Sequence, residues 1–203
     1  VAFDLTVGAL QLTQLKAVAL SLGPIAQPGS LGAPLVLGQD VLGGLVAEID
    51  FGARWAALHR PKFFQPPAEA EPAPARSRLR GLQASLTLEG QRIEALFDTG
   101  SSTPLSLSRA SAERLGLLDT KPLRSDETVV FGGVTRSEVV RAESLTFAGR
   151  TLKDVEVSVF DTSGVPGFPE GLVGVGAVRH RRIFLDLGAG RLLLGPSVRR
   201  QAV

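Results

Sequence analysis

The chain has 203 residues, 44% of them hydrophobic and 21% charged, enough apolar surface for the core of one domain or two small ones. Its 22 basic and 20 acidic residues leave a formal charge of +2, which is not the footprint of a nucleic-acid binder. The absence of cysteine excludes disulfides, thiolate catalysis and cysteine-held metals, and no uninterrupted apolar run is long enough for a membrane span.

Gly (23) and Pro (13) together make 36 residues, above the usual share of about 12%. This favours a turn-rich, strand-rich chain over a helix bundle. Two histidines, His59 and His180, cannot by themselves make a histidine-rich metal site, and no cofactor or metal is expected. There is no methionine, even at position 1. The chain is therefore expected to begin inside a longer or processed product. Together with the lack of cysteine, this fits an exported protein, periplasmic or otherwise.

Residues 1–62 read as strands and turns. Residues 63–80 break the pattern: alternating Pro and Ala with charges cannot bury a face, and proline removes backbone donors. This stretch is expected to be a semi-extended linker. From residue 81 the strand pattern returns. Leu82, Ala84, Leu86 and Leu88 alternate with polar residues at the two-residue period of a half-buried strand. Glu89-Gly90-Gln91 supplies a turn, and Ile93 to Phe97 forms a second strand. Ser108 to Leu115 is a short helix, with Ser108 as its N-cap and Gly116 closing it. Thr128 to Val140 reads as a hairpin around Phe131-Gly132-Gly133-Val134. Leu152 to Phe160 alternates again.

The two segments resemble each other. Leu5-Thr6-Val7 followed by Leu12 matches Leu145-Thr146-Phe147 followed by Leu152. Leu35-Val36-Leu37-Gly38 matches the stretch around Leu172-Val173-Gly174 loosely. Ile49-Asp50-Phe51-Gly52 matches Leu185-Asp186-Leu187-Gly188. We read this as an internal duplication. It is unequal, because residues 81–138 have no counterpart in the first copy.

The chemistry lies in that unmatched part. Ala95-Leu96-Phe97-Asp98-Thr99-Gly100-Ser101-Ser102 puts a carboxylate at the end of an apolar strand. Such a poorly hydrated setting suits sharing one proton with a second carboxylate. Thr99 carries a small hydroxyl able to bond backbone, Gly100 permits a tight turn, and Ser101 adds a second hydroxyl. Asp-Thr-Gly alone is also ordinary turn chemistry. Asp50 and Asp186 precede terminal strands and read as strand-end or turn carboxylates. Arg179-His180-Arg181-Arg182 reads as a solvated turn, without the interleaved aromatics of a nucleic-acid groove, and His59 reads as a surface residue.

The run Leu96 to Ser102, the following Ala112-Glu113-Arg114-Leu115-Gly116-Leu117 and the late Gly171-Leu172-Val173-Gly174-Val175-Gly176 resemble retropepsin-like (clan AA) aspartic proteases, most nearly bacterial ones. The resemblance covers residues 81–195, and 1–62 only as the back half of a further lobe. It implies an all-β chain with one or two short helices. Residues 81–203 would be a closed acid-protease barrel lobe, and 1–62 the C-terminal half of a first lobe. It further implies an aspartic endopeptidase acting on peptide or protein, with Asp98 catalytic and Thr99, Gly100 and Ser101 supporting it. Phe131, Gly132 and Gly133 would form a flap over the substrate. The chain has one Asp-Thr-Gly, so the second carboxylate is expected from an absent N-terminal segment or a homodimer partner. The alternative is a peptide-binding or oligomerisation module that kept the fold without the activity.

Overall fold

The structure is a computed structural model that describes residues 1–27, 32, 35–78, 81–130, 133–163 and 167–197. The chain divides into two compact units. One comprises Val1–Leu37 with Glu127–Thr135, the other Gly38–Asp126 with Arg136–Val203. In chain order the elements are β1 (Ala2–Val7), β2 (Leu10–Lys16), α1 (Gln39–Leu42), β3 (Val46–Asp50), β4 (Trp55–His59), β5 (Glu71–Pro72), β6 (Ala75–Arg78), β7 (Gly81–Leu88), β8 (Gln91–Asp98), β9 (Leu105–Ser108), α2 (Arg109–Arg114), α3 (Leu117–Thr120), β10 (Leu123–Val130), β11 (Gly133–Phe147), β12 (Arg150–Phe160), β13 (Gly171–Gly174), β14 (Arg181–Asp186) and β15 (Arg191–Ser197). Among the described residues no helix is long and apolar enough to cross a membrane.

The expected all-β class holds. Strands β11-β12-β9-β13-β8-β7 lie side by side in that order, and β11 also pairs with β7, which closes the sheet into a barrel. Its interior is the alternating set read from the sequence: Leu82, Ala84, Leu86 and Leu88 from β7, and Ile93, Ala95 and Phe97 from β8. Leu105, Leu107, Val157, Val159 and Val173 belong to the same buried cluster, as do Val140, Ala142 and Leu145 of β11. Burying a side chain of this size contributes about 1.5–3 kcal/mol, so the barrel holds its connecting loops in place.

A second sheet has the order β4-β3-β14-β15-β5. The Pro/Ala-rich stretch, expected to be semi-extended, also pairs into the sheets. Pro72 and Glu71 pair with Leu193 and Leu194, Ala75 to Arg78 pair with β7, and Ala73 is buried. Extended backbone that cannot form a helix is suited to an edge strand, where a missing proline N–H costs nothing.

The two segments that resemble each other in sequence have matching local geometry. In β1–β2, Leu5 faces Leu12 and Val7 faces Leu10; in β11–β12, Leu145 faces Leu152 and Phe147 faces Arg150. Gln14 and Asp154, at corresponding positions, both take positive φ, 56° and 50°. In β3–β4, Asp50 faces Trp55; in β14–β15, Asp186 faces Arg191. Asp50 Oδ1 accepts the Ala53 N–H at 2.8 Å, and Asp186 Oδ1 accepts the Ala189 N–H at 3.0 Å. Arg54 and Gly190 then both turn left-handed, at 57° and 67°. Strand β3 pairs antiparallel with β14, placing Ile49 opposite Ile183, Glu48 opposite Phe184 and Ala47 opposite Leu185. Since Glu48 and Phe184 occupy matching positions in the two similar segments, this register is symmetric about them.

Candidate active site

Strand β8 sends Ile93, Ala95 and Phe97 into the barrel. The two-residue period puts Glu94, Leu96 and Asp98 on its other face. Asp98 ends the strand half-buried. Its Oδ1 accepts the Gly100 N–H at 2.8 Å, and its carbonyl accepts the Ser101 N–H at 3.3 Å. This Asx-type turn fixes the carboxylate before any ligand is present. A groove of about 540 Å³ opens along the strand, lined in part by Gln83, Glu94, Leu96 and Pro169.

The loop after Asp98 is held from below. Ser101 Oγ and Thr103 Oγ1 share a hydrogen bond of 3.0 Å, and Thr103 Oγ1 and Ser106 Oγ one of 3.1 Å. Strand β13 runs parallel to β8 with Gly174 beside Asp98. Just beyond, the Val175 N–H donates to the Ser101 carbonyl at 2.9 Å, and the Gly174 N–H donates to the Pro104 carbonyl at 3.3 Å. A Cβ on Gly174 would stand 2.2 Å from the Thr103 carbonyl oxygen, and one on Gly176 would stand 2.6 Å from that of Ser102. Both positions require glycine because backbone lies directly against backbone. The sequence marked this late Gly-rich element; it did not mark Thr103, Pro104 or Ser106. The run Ser101-Ser102-Thr103-Pro104 was the available signal.

Helix α2 forms as expected. Ser108 Oγ accepts the Ser111 N–H at 3.2 Å, Leu115 is the C-cap and Gly116 follows at φ 69°. An Arg109–Glu138 ion pair joins the helix to β11.

Asp98, Thr99, Gly100 and Ser101 thus form one loop, with Thr99 exposed. Phe131 and Gly132 lie outside the described residues. Gly133 opens β11 and belongs to the other compact unit. Asp50 and Asp186 are buried turn carboxylates, as read from the sequence. Besides their turn N–H groups they hold Arg182 at 3.2 Å and Arg191 at 2.9 Å respectively. Two sequence readings are corrected. His59 is part-buried, its Nε2 2.8 Å from Glu48 Oε2 and its ring packed on Phe64. The basic run 179–182 is not a solvated turn throughout: Arg181 is mostly buried and Arg182 pairs with Glu48 and Asp50.

Residues 84–177 match the family model described as aspartyl protease. Among solved structures, the chain is similar to a retropepsin-like aspartic protease from Rickettsia conorii, at 17% identity, over 64% of this chain and 94% of that one, with a TM-score of 0.48. It is also similar to EIAV protease complexed with the inhibitor HBY-793, at 20% identity, over 47% of this chain and 83% of that one, with a TM-score of 0.34. No curated protein matches the chain. The family match supports a protease function in general terms.

Proposed function

We propose that this chain, whose residues 84–177 belong to the retropepsin-like (clan AA) family of aspartic proteases, is an aspartic endopeptidase in which Asp98 is one of two catalytic carboxylates. The observation that carries the reading is the mounting of Asp98. It sits at a strand end with its Oδ1 oriented by the Gly100 N–H, on a loop locked to Gly174 and Val175. In the proposed reaction Asp98 and a second Asp share one proton and hold a water between them. The ionised member takes a proton from the water as it attacks the peptide carbonyl. The protonated member donates to the carbonyl oxygen. Thr99, Gly100 and Ser101 support the loop. Phe131, Gly132 and Gly133 act as the flap that excludes water during turnover.

The second carboxylate comes from an equivalent loop, either in a segment preceding residue 1 or in a homodimer partner. The matched registers of β1–β2 with β11–β12 and of β3–β4 with β14–β15 support 1–62 as the back half of a first lobe, 63–80 as its connection and 81–203 as the full lobe. The test is casein cleavage from acidic to neutral pH by the parent chain, by the parent with pepstatin, and by Asp98→Asn. Cleavage with an acidic optimum, lost on substitution and on inhibition, is expected once both carboxylates are present. Cleavage that survives Asp98→Asn would overturn the assignment. Peptide binding without cleavage in the two-lobed form would make the chain a binding module.

A further inference from the structure

On the opposite flank of β13 from the Asp98 pairing, a second cleft of about 460 Å³ is bounded by β12 and by the turn between β13 and β14. Its rim is basic. Arg150 and Lys153 come from β12, Arg179 comes from the turn, and all three are exposed. Among the described residues no ion pair joins any of the three to an acid. Arg141 also lines the cleft, but it is paired with Glu156 at 3.4 Å. Asp154 is the remaining acid on the rim, so the unpaired charges are three positive against one negative.

His180, half-buried in the wall, has its pKa lowered below the ordinary histidine value by burial first, and then by the charges of Arg150 and Arg181. The attraction for an anion comes from the three long side chains of Arg150, Lys153 and Arg179. Clustered like charges oppose folding, and a cleft concentrates their potential. This is the arrangement of a site whose counter-charge arrives with a ligand.

We propose that this cleft binds an acidic segment of polypeptide, in extended form, beside the catalytic lobe. The cations are spread along a strand and a turn, so they match carboxylates distributed along a chain. Leu152, Val155 and Pro104 lie in the same lining and offer apolar contact to the side chains between those carboxylates. Pro104 and Gly176 also belong to the support of the Asp98 loop, so the bound segment lies against that support. The choice of polypeptide over other polyanions rests on the peptidase reading above; the charge argument does not.

The experiment uses the full chain carrying Asp98→Asn, so that nothing is cut and binding is read independently of proteolysis. Fluorescence anisotropy follows a dye-labelled peptide of alternating Glu and Leu, and a matched peptide with Gln for Glu. The acidic peptide is expected to bind and the Gln peptide to bind far more weakly. Affinity should fall steadily as salt rises from about 50 to 300 mM, over which screening shortens the reach of exposed charges. Combining Arg150→Ala with Arg179→Ala is expected to weaken binding about tenfold, mainly through slower association. The charge-matched pair Arg60→Ala with Lys62→Ala, on exposed positions elsewhere, is expected to change it little. Equal loss in both pairs would reduce the effect to net charge and overturn the site. Equal binding of the Gln peptide, or stronger competition by inorganic polyphosphate than by the unlabelled acidic peptide, would overturn the ligand class.

Discussion

Gly174 lies beside Asp98 in parallel register, and a methyl on it would come within 2.2 Å of the Thr103 carbonyl oxygen. The Asp98 loop therefore rests on a glycine, with no side chain between the two backbones.

Gly174→Ala is expected to push the 101–104 loop away from β13. Overpacking at backbone contact of this kind costs about 1–3 kcal/mol or more, so urea denaturation should show a lower midpoint. Proteolysis should fall further than stability does, because Asp98 moves with the loop. Gly133→Ala is the control: no atom lies within 4 Å of its added Cβ, and its stability should stay close to the parent's.

The repeated turns give an asymmetric prediction. Arg54 adopts the left-handed conformation that Gly190 adopts at the matching position of the β14–β15 turn. A non-glycine residue there costs about 1 kcal/mol, so Arg54→Gly should raise the melting temperature slightly. Gly190→Ala should lower it by more, because its new Cβ would also stand 2.6 Å from the Ser77 Cβ.

Arg181 ties three strands together. Its guanidinium donates to the carbonyls of Gly195 and Leu194, and to Glu71 Oε2 at 3.0 and 3.1 Å. Arg181→Met leaves two carbonyls short of a donor, which costs about 1–3 kcal/mol for each buried group. Glu71→Gln should cost well under 1 kcal/mol, because Glu71 is 72% exposed and exposed pairs contribute little. Chemical denaturation of the two variants separates the carbonyl contacts from the ion pair.

Acid stability should change in two steps. The lowered pKa of folded His180 means that the unfolded chain takes up a proton first. Stability therefore falls as pH drops below the ordinary value of 6.5, and His180→Gln should flatten that step. Burial alone would raise the pKa of Glu89, but the Lys121 ammonium at 2.8 Å and the Glu143 N–H at 2.7 Å outweigh it and lower the pKa. Its contribution is present above the ordinary value of 4.5 and is lost as pH falls through the folded value. Glu89→Gln should lose stability at neutral pH and remove this second step. Denaturation midpoints across the acid range would show both.

The strands of the barrel were legible because they carry alternation and short turns, as in Leu82 to Leu88, and because Ser108 and Gly116 punctuate the helix between them; their closure into a barrel was expected only from the family resemblance. The Asp98 loop was legible because Asp-Thr-Gly follows an apolar strand. In 63–80 the extended character was legible but the pairing was not, because proline content reports what a segment cannot do, and Pro72 and Ala73 are held by partners distant in sequence. His59 and Arg181 misled for a related reason. A charged side chain looks solvated until the fold supplies Glu48 for one, and free carbonyls with Glu71 for the other.

The symmetric register of β3 on β14 has a consequence for origin. Ala47 meets Leu185, the match of Ile49, and Ile49 meets Ile183, the match of Ala47, so a β14 from a second molecule could occupy the place of β3, with Phe184 facing Phe184. A seam of this kind is indifferent to whether its two strands lie on one polypeptide or two. An ancestor built from separate identical lobes could be fused into one gene, and each half could then drift, with the joint between them already in place.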